Sequence, residues 1–205
     1  MDQGTVALIV GLITAVVTII GWLVTRKLEI ERRATADART DRTRRIELRL
    51  RYYERQIQEF YGPIYSLIQL IWSIWAIKER FEKELSPDDN KQPIHEVRSK
   101  IDSFIGTAYF TPIHEEIRGI LKTRLFLIEG AQMPDSFYEY LVHSMMENVQ
   151  HSLWTKEGIS TLSVKGQPWS YEFPKDIEKG LDDALKNYDR IIKELESERE
   201  NVVQT

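Results

Sequence analysis

The sequence predicts an all-α chain: an N-terminal transmembrane helix, a charged helical stalk and a cytoplasmic up-and-down bundle of about five helices. Three observations carry this expectation. Gln3 to Thr25 contains no charged residue over 23 positions. Residues 26 to about 60 contain neither Gly nor Pro and are rich in Arg, Glu, Leu and Ala, which are good helix formers. From Ile46 onward, apolar residues recur at spacings of three and four, the period of a buried helix face.

About 20 apolar residues in a helix span a hydrocarbon core of roughly 30 Å. Residues 1–25 are therefore expected to form a membrane anchor. A cleaved signal peptide is the rival reading. It requires a basic start, a shorter apolar core and a small-residue cleavage site. Here Asp2 is the only charged side chain before the run, and Trp22-Leu23-Val24-Thr25-Arg26 makes a poor cleavage context. Positions 26–55 hold 11 Lys and Arg against 6 Asp and Glu, and no basic residue precedes the run. The positive-inside bias then places the N-terminus outside and the remainder in the cytoplasm, with membrane lipid as the first partner.

Gly4, Ala7, Gly11, Thr14, Thr18 and Gly21 follow one another at spacings that alternate between three and four, with Thr25 next in phase. A stripe of small residues lets a second helix approach closely in lipid, and a homo-oligomer is the simplest such pairing. Small residues are also common in membrane helices for no such reason. Arg26, Lys27, Arg32 and Arg33 follow directly and are the basic residues close enough to meet anionic headgroups, since that field decays within a Debye length. A solvated helix surface explains the same residues without lipid. Residues 26–45 are expected to be a stalk, because Arg32 to Arg45 offers only alanines as apolar side chains.

The net charge of −4 is unevenly distributed, with +5 over residues 26–55 and −8 over residues 56–205. The acidic bulk argues against nucleic acid as a partner. The chain has no Cys, which excludes disulfides, thiolate metal sites and a Cys nucleophile.

The predicted bundle covers residues 46–200. Ile46, Leu50, Tyr53, Ile57, Phe60, Ile64, Leu67, Ile71 and Ile74 form an a/d seam that runs through Gly62-Pro63. A Pro inside a helix loses a hydrogen bond and clashes one turn back. Either the helix kinks there, or one helix ends near Tyr61 and the next begins at Pro63. The run Tyr53-Glu-Arg-Gln-Ile-Gln-Glu-Phe60-Tyr61-Gly62-Pro63-Ile-Tyr-Ser-Leu67 resembles a segment of small bacterial membrane-anchored proteins, in which a short anchor and a charged helix lead into a similar motif. The resemblance implies a bacterial origin and carries no activity with it. Phe60 to Ile77, with Trp72 and Trp75, is a second uncharged run of 18 residues. Its length from Pro63 suits a core helix better than a spanning one, and membrane-interface and spanning helices are the alternatives. As a core helix it should bury both indoles.

Later elements follow in order. Residues 86–93 read as a loop. Ile94, Val97, Ile101, Phe104, Ile105 and Ala108 mark a helix. Thr111-Pro112 should open another, capped by Thr111, with Ile113, Ile117, Ile120, Leu121, Leu125 and Ile128 inward and a stop at Gly130. Met133-Pro134-Asp135 should start a fourth, with Tyr138, Leu141, Val142, Met145, Met146, Val149 and Leu153 inward. Residues 159–164 and 169–173 fit a small hairpin or a loop equally. The last helix is expected from about Lys175 to Glu200 along Ile177, Leu181, Ala184, Leu185, Tyr188, Ile191, Ile192 and Leu195, with residues 201–205 a disordered tail.

No motif for catalysis emerges. There is no phosphate loop, nucleophile elbow or kinase set. His143, Glu147 and His151 are four apart on one helix, a spacing that metal ligands use. On the predicted inward stripe, however, Glu147 and His151 point to solvent, and closing a metal site would require a second chain. His114-Glu115-Glu116 lacks the second His of a zinc-protease helix and reads as a helix start. Trp154, Trp169, Tyr171 and Phe173 suit either a partner surface or the covering of the bundle end. Neither catalytic residues nor a metal or other cofactor are expected. The functional expectation is a membrane-anchored scaffold, sensor or effector subunit that oligomerises or holds a cytoplasmic protein partner. The alternatives are a membrane-perturbing effector that uses residues 60–77, and an enzyme with a motif-less site.

Overall fold

A computed structural model describes residues 3–85, 93–129, 132–159 and 165–203, without the side chains of residues 3–17, 19 and 199–203. The described residues are all-helical and contain no strand. The α-helices are α1 (Gln3–Arg55), α2 (Gly62–Glu84), α3 (Ile94–Ile105), α4 (Thr111–Arg124), α5 (Asp135–Glu157) and α6 (Glu172–Val203). The first four are joined in pairs by continuous helical turns. A π-helical turn, Gln56–Tyr61, links α1 to α2, and a second, Gly106–Phe110, links α3 to α4.

Both π turns sit immediately before an X-Pro pair, and this accounts for the unbroken helices where a break was one expectation. The Gly62 N–H donates to Ile57 O, and the Thr111 N–H donates to Gly106 O, each five residues back. The wider turn moves the carbonyls away from the position where an α-helical register would drive the Pro ring into them. Pro63 and Pro112 then occupy the first turn of α2 and α4, where a missing N–H costs little. Gly62 is required by the same geometry, because a β-carbon there would overlap the Ile57 carbonyl oxygen. Thr111 does not cap α4 as expected. It lies inside continuous helix and no side chain caps that end.

The chain divides into two compact units, Met1–Arg49 with Ser197–Thr205, and Leu50–Glu196. In the first unit α1 continues as helix through the predicted anchor and stalk. The side chains of Gly4, Ala7, Gly11 and Thr14 lie outside the described residues. Thr18 and Gly21 are exposed, as are Ile20, Trp22, Leu23 and Val24. Arg26 places its guanidinium 5.0 Å from the centre of the Trp22 ring. Lys27 pairs with Glu31 at 4.0 Å and Arg33 with Glu29 at 2.5 Å, each on the same face one turn away. Arg32 is exposed. Arg42 pairs with Glu198 of α6 at 2.7 Å.

The second unit holds the core. Phe60 of the first π turn and Ile64, Ile68, Ile71 and Ile74 of α2 share one core with Ile113, Ile117 and Leu121 of α4, Phe137 and Tyr140 of α5, and Phe173, Ile177 and Ala184 of α6. Residues 60–77 are therefore a half-buried core helix. Ile68, not Leu67, takes the innermost position on the third turn of the seam. Trp72 and Trp75 are not the buried indoles expected. They are 42% and 43% exposed, although Trp75 follows Ile71 by one turn of α2. Helix α4 stops at Arg124, before Gly130, and a 3-10 turn, Leu125–Leu127, follows. The buried Gln56 amide anchors this turn by donating to Leu127 O at 2.5 Å and to the Tyr52 hydroxyl at 3.1 Å.

Helix α5 starts as expected after Pro134 and ends at Gly158, whose φ of 67° is the left-handed geometry of a helix stop. Its orientation departs from the prediction, although Leu141 does pack against the core. Tyr138, Met145 and Val149 are 63%, 57% and 56% exposed, while Ser136, Phe137, Tyr140, His143 and Ser144 are buried. The inward face puts Phe137 and Tyr140 into the core and its polar side chains find partners: Ser136 donates to Asp176 at 2.6 Å and His143 bonds to Gln167 O at 2.6 Å, while Arg118 of α4 donates to the Ser144 main-chain carbonyl at 2.8 Å. Residues 165–170 have no regular structure, which is the loop alternative and not the hairpin, and Glu172 and Phe173 already belong to α6. Residues 160–164 lie outside the described residues.

Candidate functional site

The inward face of α5 carries the groups that make a site. His143 and Glu147 are one turn apart, and His143 Nε2 lies 3.5 Å from Glu147 Oε1. Helix α4 brings His114 to the other carboxylate oxygen, with Nε2 3.3 Å from Glu147 Oε2. One donor atom from each of the three residues lies within 4.8 Å of the others. Both imidazoles are buried, and the carboxylate is half exposed. His151 does not join them; its Nε2 lies 3.2 Å from Thr107 Oγ1. The helical spacing of His143 and Glu147 was visible in the sequence. His114 was missed, because its nearest site partner lies more than twenty residues away along the chain.

The outer nitrogens of both imidazoles are also held. His143 Nδ1 is 2.6 Å from Gln167 O. A carbonyl only accepts, so the hydrogen is on Nδ1. His114 Nδ1 is 2.8 Å from the Tyr140 hydroxyl. Tyr140 is wedged between Phe173, stacked at 4.1 Å, and Trp169, edge-on at 5.6 Å, and burial pushes its phenol far above the usual range. The segment carrying Trp169 is tied to α5 at two points, by His143 to Gln167 O and by Ser170, which donates to Glu139 at 2.7 Å. Trp169 thus covers His114, Tyr140 and His143. Its own indole N–H is buried without an acceptor among the described residues. Trp154 and Tyr171 stay exposed while Phe173 is fully buried, so the four late aromatics divide between surface and core.

Burial of Glu147 opposes its ionisation. The hydrogen bond from His114, together with attraction to charged His143 and His114, outweighs that penalty and holds the carboxyl below the usual range. The carboxylate therefore stays ionised at neutral pH.

Beside the cluster opens a cavity of about 420 Å³, walled by Trp72, Trp75, Phe110 and Trp169, with His143 and Glu147 at its polar end. Phe110 and Glu147 also border a second cavity of about 450 Å³ that extends to Asp102, His151 and Trp154. Trp75 is not free to fill the first cavity. Its ring rests near Phe110 at 5.4 Å, and Lys78 Nζ sits 4.6 Å from its centre. Lys78 in turn pairs with Asp102 at 2.7 Å. Aromatic walls with His143 and Glu147 at one end, and Glu79 also in the lining, suit a small molecule that has an apolar body and a polar head. Comparison with family models, with curated proteins and with solved structures finds no match.

Proposed function

We propose that the chain is a single-pass membrane protein, N-terminus outside, whose cytoplasmic helical bundle is a sensor subunit that takes a small ligand beside His114, His143 and Glu147. The observation that carries this reading is the pairing of an aromatic-walled cavity with two buried imidazoles and one ionised carboxylate. Burying polar groups is costly unless they are satisfied, and a core of this size gains nothing in packing from three of them at a cavity wall. The anchor rests on the uncharged run of residues 3–25 and the basic excess of residues 26–55. The Trp22 and Arg26 pair supports it, since indole and guanidinium both suit the headgroup zone. Self-association through the Gly4, Ala7, Gly11, Thr14, Thr18 and Gly21 stripe gives such a sensor its output, with a cytoplasmic protein partner as the receiver.

A membrane-perturbing role for residues 60–77 is disfavoured. The Ile64, Ile68, Ile71 and Ile74 stripe is already committed to the core, and only the Trp72 and Trp75 side remains. The test is 19F NMR of the full chain, labelled with 5-fluorotryptophan in lipid nanodiscs, against a panel of small aromatic acids. The reading expects the Trp72, Trp75 and Trp169 resonances to move together and Trp22 to stay. Ala76→Phe, which fills the cavity from its exposed wall, should abolish the shifts. Shifts confined to Trp22, or an unchanged response in Ala76→Phe, would refute it.

A further inference from the structure

We infer that His114 Nε2, His143 Nε2 and a Glu147 carboxylate oxygen together bind one divalent first-row transition metal ion, an inference that rests on reading the adjoining cavity as a ligand site.

The geometry supports it directly. Around a tetrahedral ion with bonds of about 2.0–2.1 Å, neighbouring donor atoms stand about 3.3–3.4 Å apart. The two imidazole–carboxylate separations, 3.3 and 3.5 Å, run to different oxygens of Glu147, and one donor atom from each of the three residues lies within 4.8 Å of the others. With the hydrogen of His143 on Nδ1, its Nε2 is the atom turned toward Glu147, and His114 Nε2 faces the other oxygen of the same carboxylate.

The outer contacts are those that metal-bound imidazoles require. A ligating His donates its other N–H to a carbonyl, carboxylate or similar acceptor, which fixes the ring and raises its basicity. Gln167 O fills that role for His143 and the Tyr140 oxygen for His114. With a cation on His114 Nε2, the ring hydrogen moves to Nδ1 and Tyr140 accepts it. Two imidazoles and one carboxylate, without sulfur, select zinc, cobalt, nickel or ferrous iron over magnesium or calcium. Three protein ligands leave a position for water or for an anionic group of a cavity ligand, as in exchangeable rather than purely structural sites. The Trp169 N–H, buried and without an acceptor among the described residues, is a donor for such a group.

The test uses the full chain in detergent, tag removed and stripped with chelator, titrated with Co(II). The inference expects one ion per chain, visible d–d bands of a four-coordinate site, and displacement by Zn(II). Glu147→Gln keeps the shape of a half-exposed side chain and should weaken binding at least tenfold. Tyr140→Phe keeps the ring packing and should weaken it by about 10–100-fold, the range for losing an outer partner. His95→Ala, on exposed α3, should change nothing. Helical content by circular dichroism separates lost binding from lost fold. Three results would overturn the inference: no saturable Co(II) binding, binding that survives Glu147→Gln and His114→Gln alike, or binding lost in His151→Ala but retained in His114→Gln. The 19F experiment distinguishes the two readings. Aromatic acids that bind the metal-free chain leave the sensor reading standing and sink only the metal; absence of both responses sinks both.

Discussion

The Tyr61 ring packs against the backbone of Gly180 so closely that a β-carbon at position 180 would overlap Cδ1, Cε1 and Cζ of the ring. This contact joins the start of the Tyr61-Gly62-Pro63 turn to α6 inside the core. Gly180→Ala should therefore destabilise the full chain by about 1–2 kcal/mol, overpacking outweighing the helix preference of Ala. Gly119→Ala meets nothing within 4 Å on α4 and should instead raise stability by about 0.5–1 kcal/mol. Chemical denaturation checks both. Equal effects of the same sign would mean that Tyr61 does not sit on Gly180.

Gly62 makes a harder demand than Gly180. Its missing β-carbon faces the Ile57 carbonyl oxygen, which also accepts the Gly62 N–H. A ring can turn aside, whereas a carbonyl held in a π turn cannot. Gly62→Ala should cost more than Gly180→Ala in the same denaturation series. A smaller cost would argue that the two helices do not join through this turn.

Burial, reinforced by the charges of Glu129, Asp183 and Asp176, pushes the Tyr61 phenol up to about 12. A pKa that is higher folded than unfolded contributes stability that is complete below about pH 10 and lost as pH rises through about 12. Ultraviolet titration of the wild type against Tyr61→Phe should differ by one phenol that ionises near pH 12, with no difference near pH 10. The variant should also lose less stability between pH 10 and 12. Identical curves would contradict this.

The orientation of α5 was not legible in its own sequence, and the reason is physical. Tyr138, Met145 and Val149 satisfy a helical apolar period, and that period was the only local signal. The face turned inward carries Phe137 and Tyr140 into the core, and its Ser136 and His143 find partners in Asp176 and Gln167, far along the chain. The same distance hid His114 behind the appearance of a helix start. By contrast, the α2 seam was readable because Phe60, Ile64, Ile71 and Ile74 bury by apolarity alone. Gly62-Pro63 announced an irregularity but not its form, since a kink, a break and a π turn share that dipeptide.

The proposed self-association is tested by Gly11→Ile. If the small-residue stripe is an interface, this change should weaken oligomers measured in detergent or bilayer, and Leu12→Ile, one residue off the stripe, should not. Equal effects, or a monomeric wild type, would remove self-association from the proposed mechanism.

Everything proposed for the site depends on which face of α5 turns inward. The chain has no cysteine, so single cysteines report accessibility without background. Ser144 is almost fully buried and Met145, its neighbour, is 57% exposed. Thiol labelling of the full chain in native membranes, made permeable to the reagent, should modify Met145→Cys rapidly. Ser144→Cys, a near-isosteric change, should react only on unfolding. Fast labelling at 144 with protection at 145 would restore the apolar stripe to the core, turn His143 and Glu147 away from His114, and contradict the account.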